Sequence, residues 1–288
     1  MTLSLEKQKI RHLKFSSDAS HVVITFKDGS EKRRELPPIL TELYCGFNCI
    51  SHLEGLSSVL TGLTALYCSS NQLTRLENLP PRLTRLYCSC NQLTLLESLP
   101  PNLTELGCSG NQLTRLENLS TGLKILFCSY NQLTLLENLP PGLTNLDCKN
   151  NQLTCLERLP PKLDVLDCRN NQLTRLETLP PNLTNLDCRN NQLTLLERLP
   201  PNLGILSCFG NPLTFIEPLF KRPEYCDVPS SLENFQSITN YQKFYLSYQA
   251  HLRLSGNLIS YLTLQDGCSY LILESVSYYY TRDWISKQ

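Results

Sequence analysis

The chain has no surplus of charge: 26 basic residues balance 26 acidic ones across 288 positions. A general attraction to nucleic acid or to anionic membrane is therefore excluded as its main business. Long apolar runs are missing, so no segment reaches the length of a membrane-spanning helix. The first residues, MTLSLEKQKIRHLKF, carry charges where a classical secretory leader needs its apolar stretch. Histidine is scarce, at positions 12, 21, 52 and 251 only. Cys226, His251 and Asp266 form a conceivable thiol triad, but no flanking motif supports it. The phosphate-loop, H-E-x-x-H and G-x-S-x-G patterns are all absent. The expectation is a protein that is not an enzyme and holds no cofactor and no metal.

Cysteine, by contrast, is plentiful, and nine of the 14 share one repeat position: Cys45, Cys68, Cys88, Cys108, Cys128, Cys148, Cys168, Cys188 and Cys208. Asparagines at 71, 91, 111, 131, 151, 171, 191 and 211 keep the same period of twenty, and Asn48 opens the series. The unit reads L-x-x-L-x-C-x-x-N-Q-L-T-x-L-E-x-L-P-P-x. This is the leucine-rich repeat pattern with Cys in place of one Leu. The second Leu and the Cys are two apart, so both point to one side of a short strand. Stacked parallel strands bury these columns, because one repeat cannot cover its own apolar face. Cys then acts as a small buried hydrophobe. Metal or redox roles are the alternatives, though a linear file without nearby His does not converge on an ion. The Asn side chain suits the turn that follows the strand, where backbone groups need partners.

These features predict an α/β-type leucine-rich-repeat solenoid, a curved parallel β-sheet of about nine 20-residue repeats. Pro-Pro pairs from 80–81 to 200–201 predict an extended, polyproline-like convex side. The expected division is an N-terminal β-rich cap over 1–35, repeats over 36–218, and a C-terminal cap or small helical or mixed domain over 219–288. In the first, IRHLKF and HVVITF are candidate paired strands and KDGS a turn. In the last, Ser230 and Glu233 resemble a capping box before a helical stripe from Leu232 to Leu252. LISYLTL and SYLILES then read as a hairpin or as a second helical pair.

Outward residues of the strands line the concave face, the surface with which solenoids bind. The residues preceding the ladder cysteines include Tyr44, Tyr67, Tyr87 and Phe127, then Asp147, Asp167 and Asp187. Those following them pass from serines to Lys149, Arg169 and Arg189. The face divides into an aromatic half and a half of acid–base pairs. Recent duplication of neighbouring units accounts for this without binding. Selection for a partner accounts for it as well, since Tyr, Phe and Arg are common interface anchors. The candidate partner-binding residues are Tyr44, Tyr67, Tyr87, Phe127, Tyr130, Asp147, Lys149, Asp167, Arg169, Asp187 and Arg189.

The stretch LENLPPRLTRLYCSCNQLTLLESLPPNLTEL resembles the short leucine-rich repeats of bacterial effectors, the YopM, IpaH and SspH group. The Cys-x-x-Asn-Gln-Leu-Thr version is most similar to repeats of Legionella-type effectors. The resemblance lies in residues 36–218 and does not extend to a ubiquitin-ligase domain, whose Cys-x-Asp motif is not matched by Cys226-Asp227. It implies a non-enzymatic interaction module that leaves the bacterial cytoplasm by a specialised secretion system and binds a host protein in the host cytosol. An enzymatic, membrane or scaffold activity of the tyrosine-rich tail is the alternative.

Overall fold

The computed structural model describes residues 1–56 and 60–216, with the strand backbones of 225–227, 260–263 and 269–272. The strands are β1 (Thr2–Ser4), β2 (Ile10–Phe15), β3 (His21–Phe26), β4 (Glu31–Glu35), β5 (Glu42–Tyr44), β6 (His52–Glu54), β7 (Ala65–Tyr67), β8 (Arg85–Tyr87), β9 (Glu105–Gly107) and β10 (Ile125–Phe127). They continue with β11 (Asn145–Asp147), β12 (Val165–Asp167), β13 (Asn185–Asp187), β14 (Leu195–Leu196), β15 (Ile205–Ser207), β16 (Phe215–Ile216), β17 (Tyr225–Asp227), β18 (Ser260–Thr263) and β19 (Ser269–Ile272). Eleven of them form one parallel sheet in the order β1-β5-β7-β8-β9-β10-β11-β12-β13-β15-β17.

From β5 to β15 each strand of this sheet is three residues long, ending just before its ladder Cys. Leu66, Leu86, Leu106, Leu126, Leu146, Leu166, Leu186 and Leu206 form the central inward column. All nine ladder cysteines are fully buried beside it. Further leucines, for example Leu73, Leu76 and Leu83, complete the core of each coil. A fully buried leucine contributes about 2 kcal/mol, and here each leans on copies of itself above and below.

The asparagine column closes the turns. The Asn91 amide donates to the carbonyls of Cys68 (3.1 Å) and Cys88 (2.9 Å), while its Oδ1 accepts from the Leu73 N–H at 3.0 Å. Asn111, Asn131, Asn151, Asn171 and Asn191 repeat this set. One side chain thus satisfies backbone groups of two consecutive coils, which would otherwise be orphaned in the interior.

The Pro-Pro pairs do more than exclude a helix. The Leu83 N–H donates to the Pro80 carbonyl at 3.2 Å, and Leu103, Leu143, Leu163, Leu183 and Leu203 do the same to Pro100, Pro140, Pro160, Pro180 and Pro200. The second proline therefore sits where a β-turn wants a fixed φ, and the turn delivers the chain into the next strand. Where the pair is Ser120-Thr121, the Ser120 hydroxyl accepts from Gly122 N–H and the same turn forms.

The N-terminal region is β-rich. β2 pairs antiparallel with β3, β3 with β4, and β2 lies parallel to β6. The KDGS turn, with Gly29 at φ 85°, joins β3 to β4. The ladder sheet itself begins earlier than position 36: β1 pairs with β5, Thr2 opposite Glu42 and Ser4 opposite Tyr44. Leu3 and Leu5 are buried in the Leu and Cys columns, and the Asn48 amide donates to the Leu5 carbonyl at 2.7 Å. Residues 1–40 are thus one enlarged coil with β2, β3 and β4 inserted on its return path. Its outer edges are charged. β4, Glu-Lys-Arg-Arg-Glu, is exposed throughout, and Arg34 donates to the Ser4 carbonyl on the rim of β1. Charge at an open edge discourages pairing with another chain.

At the other end, β17 continues the ladder, with Cys226 in the register of Leu206. β18 and β19 pair antiparallel, the hairpin of the two tail readings. The expected helix between Leu232 and Leu252, and the residues His251 and Asp266 of the conceivable triad, lie outside the described residues. Among the described residues no helix is long and apolar enough to cross a membrane.

Candidate partner-binding face

Because β5, β7 and β8 are in exact register, Tyr44, Tyr67 and Tyr87 fall on one line. Their rings stack: Tyr44 on Tyr67 at 4.3 Å between centroids and 6° between planes, Tyr67 on Tyr87 at 5.4 Å and 9°. Gly107 ends the line. A Cβ there would stand 2.6 Å from Cδ1 of Tyr87, so only glycine lets that ring lie flat over the next strand. All three rings are half-buried, as is Phe127 one strand further on.

A second outward column, two residues before the first, holds the tyrosines in place. The Tyr44 hydroxyl donates to Glu42 at 3.1 Å and that of Tyr87 to Glu105 at 2.6 Å. Burial and these carboxylates push both phenols up to about 12. Arg85 reaches across small, buried Ala65 to Glu42, at 2.8 Å, and lies 5.9 Å from the Tyr67 ring centroid. Glu42, Arg85 and Glu105 are absent from the sequence-derived candidates. The period-two rule that selected the tyrosines selects these residues equally.

The second half is an ion-pair chain. Lys149 bridges Asp147 (2.7 Å) and Asp167 (3.4 Å), Arg169 bridges Asp167 (3.6 Å) and Asp187 (3.0 Å), and Arg189 returns to Asp187 at 2.6 Å. Burial, with Asp187 and Asp147 on either side, raises the Asp167 carboxyl above the usual range, against the pull of Arg169 and Lys149. Beside it Asn170 donates to Asn150 at 2.9 Å and Asn190 to Asn170 at 2.7 Å.

Tyr130 belongs to a third column, the residue before each ladder asparagine. Phe47, Ser70, Cys90, Tyr130, Asn150, Asn170 and Asn190 all have φ between 53° and 57°, with glycine at 110 and 210. Glycine and asparagine are at ease in this left-handed region, but a bulky side chain costs about 1 kcal/mol there. Phe47 and Tyr130 nonetheless occupy it, and they are 57% and 58% exposed. The structure thus puts Tyr44, Tyr67, Tyr87 and Phe127 on one line and Asp147, Asp167 and Asp187 on its continuation, with Lys149, Arg169 and Arg189 two residues further along each coil. Tyr130 stands apart on the rim.

The cysteine ladder is a core element. Burial pushes the thiols of Cys45 and Cys88 up to about 12 and raises those of Cys68, Cys108, Cys128 and Cys168 likewise. Thiols so hard to ionise are poor nucleophiles.

No protein-family model matches the chain, and no curated protein does. Solved structures do match. YopM from Yersinia enterocolitica is 37% identical, with a TM-score of 0.55 over 68% of this chain and 47% of that one. The functional domain of InlJ from Listeria monocytogenes, which includes a cysteine ladder, is 31% identical, with a TM-score of 0.62 over 72% of this chain and 52% of that one. The fold is a leucine-rich-repeat solenoid. The leucine-rich repeat domain of APL1B, 24% identical with a TM-score of 0.56, shares that fold over 68% of this chain and 66% of its own. The chain spans about half the length of the YopM and InlJ structures. Likeness to these bacterial leucine-rich-repeat proteins supports an interaction module with protein partners.

Proposed function

We propose that this leucine-rich-repeat chain is a non-enzymatic binding module of the bacterial effector type, holding a host protein on its concave face in the host cytosol after specialised secretion. The stacked line of Tyr44, Tyr67 and Tyr87 carries this reading. Three large rings are held rigidly by one another and by Glu42 and Glu105, so a partner meets them with little further loss of side-chain freedom. Rigid, half-buried tyrosines are favoured interface anchors. The ion-pair chain from Asp147 to Arg189 is largely satisfied within itself and is better suited to orienting a partner than to holding it. Kinship of the repeats with those of YopM supports the effector assignment.

The test is retention of a eukaryotic protein from lysate by the wild-type chain and by a folded Tyr67→Ala/Tyr87→Ala variant. Loss of retention in the variant is expected. Equal retention by both would move binding off the aromatic line.

A further inference from the structure

The aromatic half of the face is also acidic, and this points to the chemistry of what it holds. Glu42 and Glu105 flank the tyrosines in the neighbouring column. Glu6 lies over Gly46, its Oε1 3.4 Å from where a Cβ would be. Against these three carboxylates stands Arg85. Lys7 joins it on the rim, over the Phe47 ring at 5.5 Å, while Lys124 lies over Gly142 of the next coil, so acids exceed bases by one along the ring-bearing strands. The second half offers no such imbalance, since three acids and three bases alternate there.

Arg85 shows how a guanidinium fits this surface: paired to Glu42 at 2.8 Å and near the face of Tyr67. Tyr87 on the same strand and Glu105 on the next offer a second pairing of ring and carboxylate, with Arg85 in register beside Glu105. Glu105 accepts from the Tyr87 hydroxyl on one oxygen, and a carboxylate has lone pairs to accept more. A planar, weakly hydrated cation that stacks and donates in a fork suits it better than an ammonium does. Phe47 and Tyr130 bound the stretch on its rim, both held exposed in a costly backbone conformation.

Resting on the concave-face reading above, we infer that the segment of the partner seated on β5 to β10 is extended and basic, with an arginine on Tyr87 and Glu105. Four strand steps of about 4.8 Å give a footprint of about 19 Å, the length of about six extended residues.

The probe is a displayed library of random twelve-residue peptides, selected on the full chain. Selected peptides should be net positive and rich in arginine. Their affinity should fall roughly five- to thirtyfold for Glu105→Gln, which keeps an oxygen for the Tyr87 hydroxyl. Arginine-to-lysine replacement in the peptide should weaken binding, and raised salt should too. Neutral or acidic peptides, or no selection at all, overturn the basic-segment inference. If such peptides nevertheless fail on a folded Tyr67→Ala/Tyr87→Ala variant, the concave-face reading survives without it. Basic peptides indifferent to both Glu105→Gln and the tyrosine variant overturn the two together.

Discussion

From Tyr44 to Tyr87 the concave face is built of rings that stack on one another; from Asp147 to Arg189 it is built of charges that bridge one another. Beneath the two halves the frame is the same. Leu86 and Leu166 are equally buried, and Asn91 and Asn171 make the same three hydrogen bonds to within 0.1 Å. Strand register is unbroken from β5 to β15. The contrast therefore lies in the outward columns alone, which the fold leaves open to change. One half satisfies its own polar groups. The other leaves aromatic surface and carboxylate acceptors on offer.

If the frame is indifferent to its decoration, Asn91→Ala and Asn171→Ala should cost the same. Each leaves buried carbonyls and an N–H without partners, for a loss of about 3 kcal/mol in urea unfolding. A difference between them of more than about 1 kcal/mol would couple face to frame. A smaller effect should be confined to the aromatic half. Gly107→Ala puts a methyl against the Tyr87 ring, and the ring must leave its stack, at about 1–2 kcal/mol. The equivalent change at Gly204, where the nearest atom to a Cβ is 3.6 Å away, should be nearly silent.

The smallest effect belongs to the charged half. Asp167 has a raised carboxyl pKa in the folded chain, so its contribution favours folding at low pH and is lost as pH rises through the folded value. Asp167→Asn should accordingly melt no lower than wild type at pH 7 and up to about 2 °C higher, water still screening the site. The gap should close as pH falls below the ordinary aspartate range. A variant that melts several degrees lower at pH 7 would make the ion-pair chain a structural necessity.

Much of this frame is legible in the twenty-residue period. Leu-x-Cys dictates an inward column and the asparagine a turn, and a ladder of buried thiols follows without chemistry being invoked. The Pro-Pro pair was legible as a helix-breaker. Its placement in a turn closed by Pro80 and Leu83 depends on where the coil must bend. β1 escapes sequence reading because Leu3-x-Leu5 has neither the Cys nor the Asn, and forty residues separate it from its structural equivalent. On the face, alternation finds Tyr67 and could have found Arg85. That Arg85 crosses β7 to Glu42 follows from Ala65 being small, a relation between strands that no single repeat contains.

The most direct test of the division is to compare damage to its two halves against one captured partner. Tyr67→Ala/Tyr87→Ala should weaken binding by at least about tenfold with the fold intact, as expected for two interface anchors. Arg169→Gln/Arg189→Gln should leave the equilibrium affinity within about threefold and act on association rate and salt dependence. The reverse order, with the charged pair dominating and the tyrosines dispensable, would contradict the account.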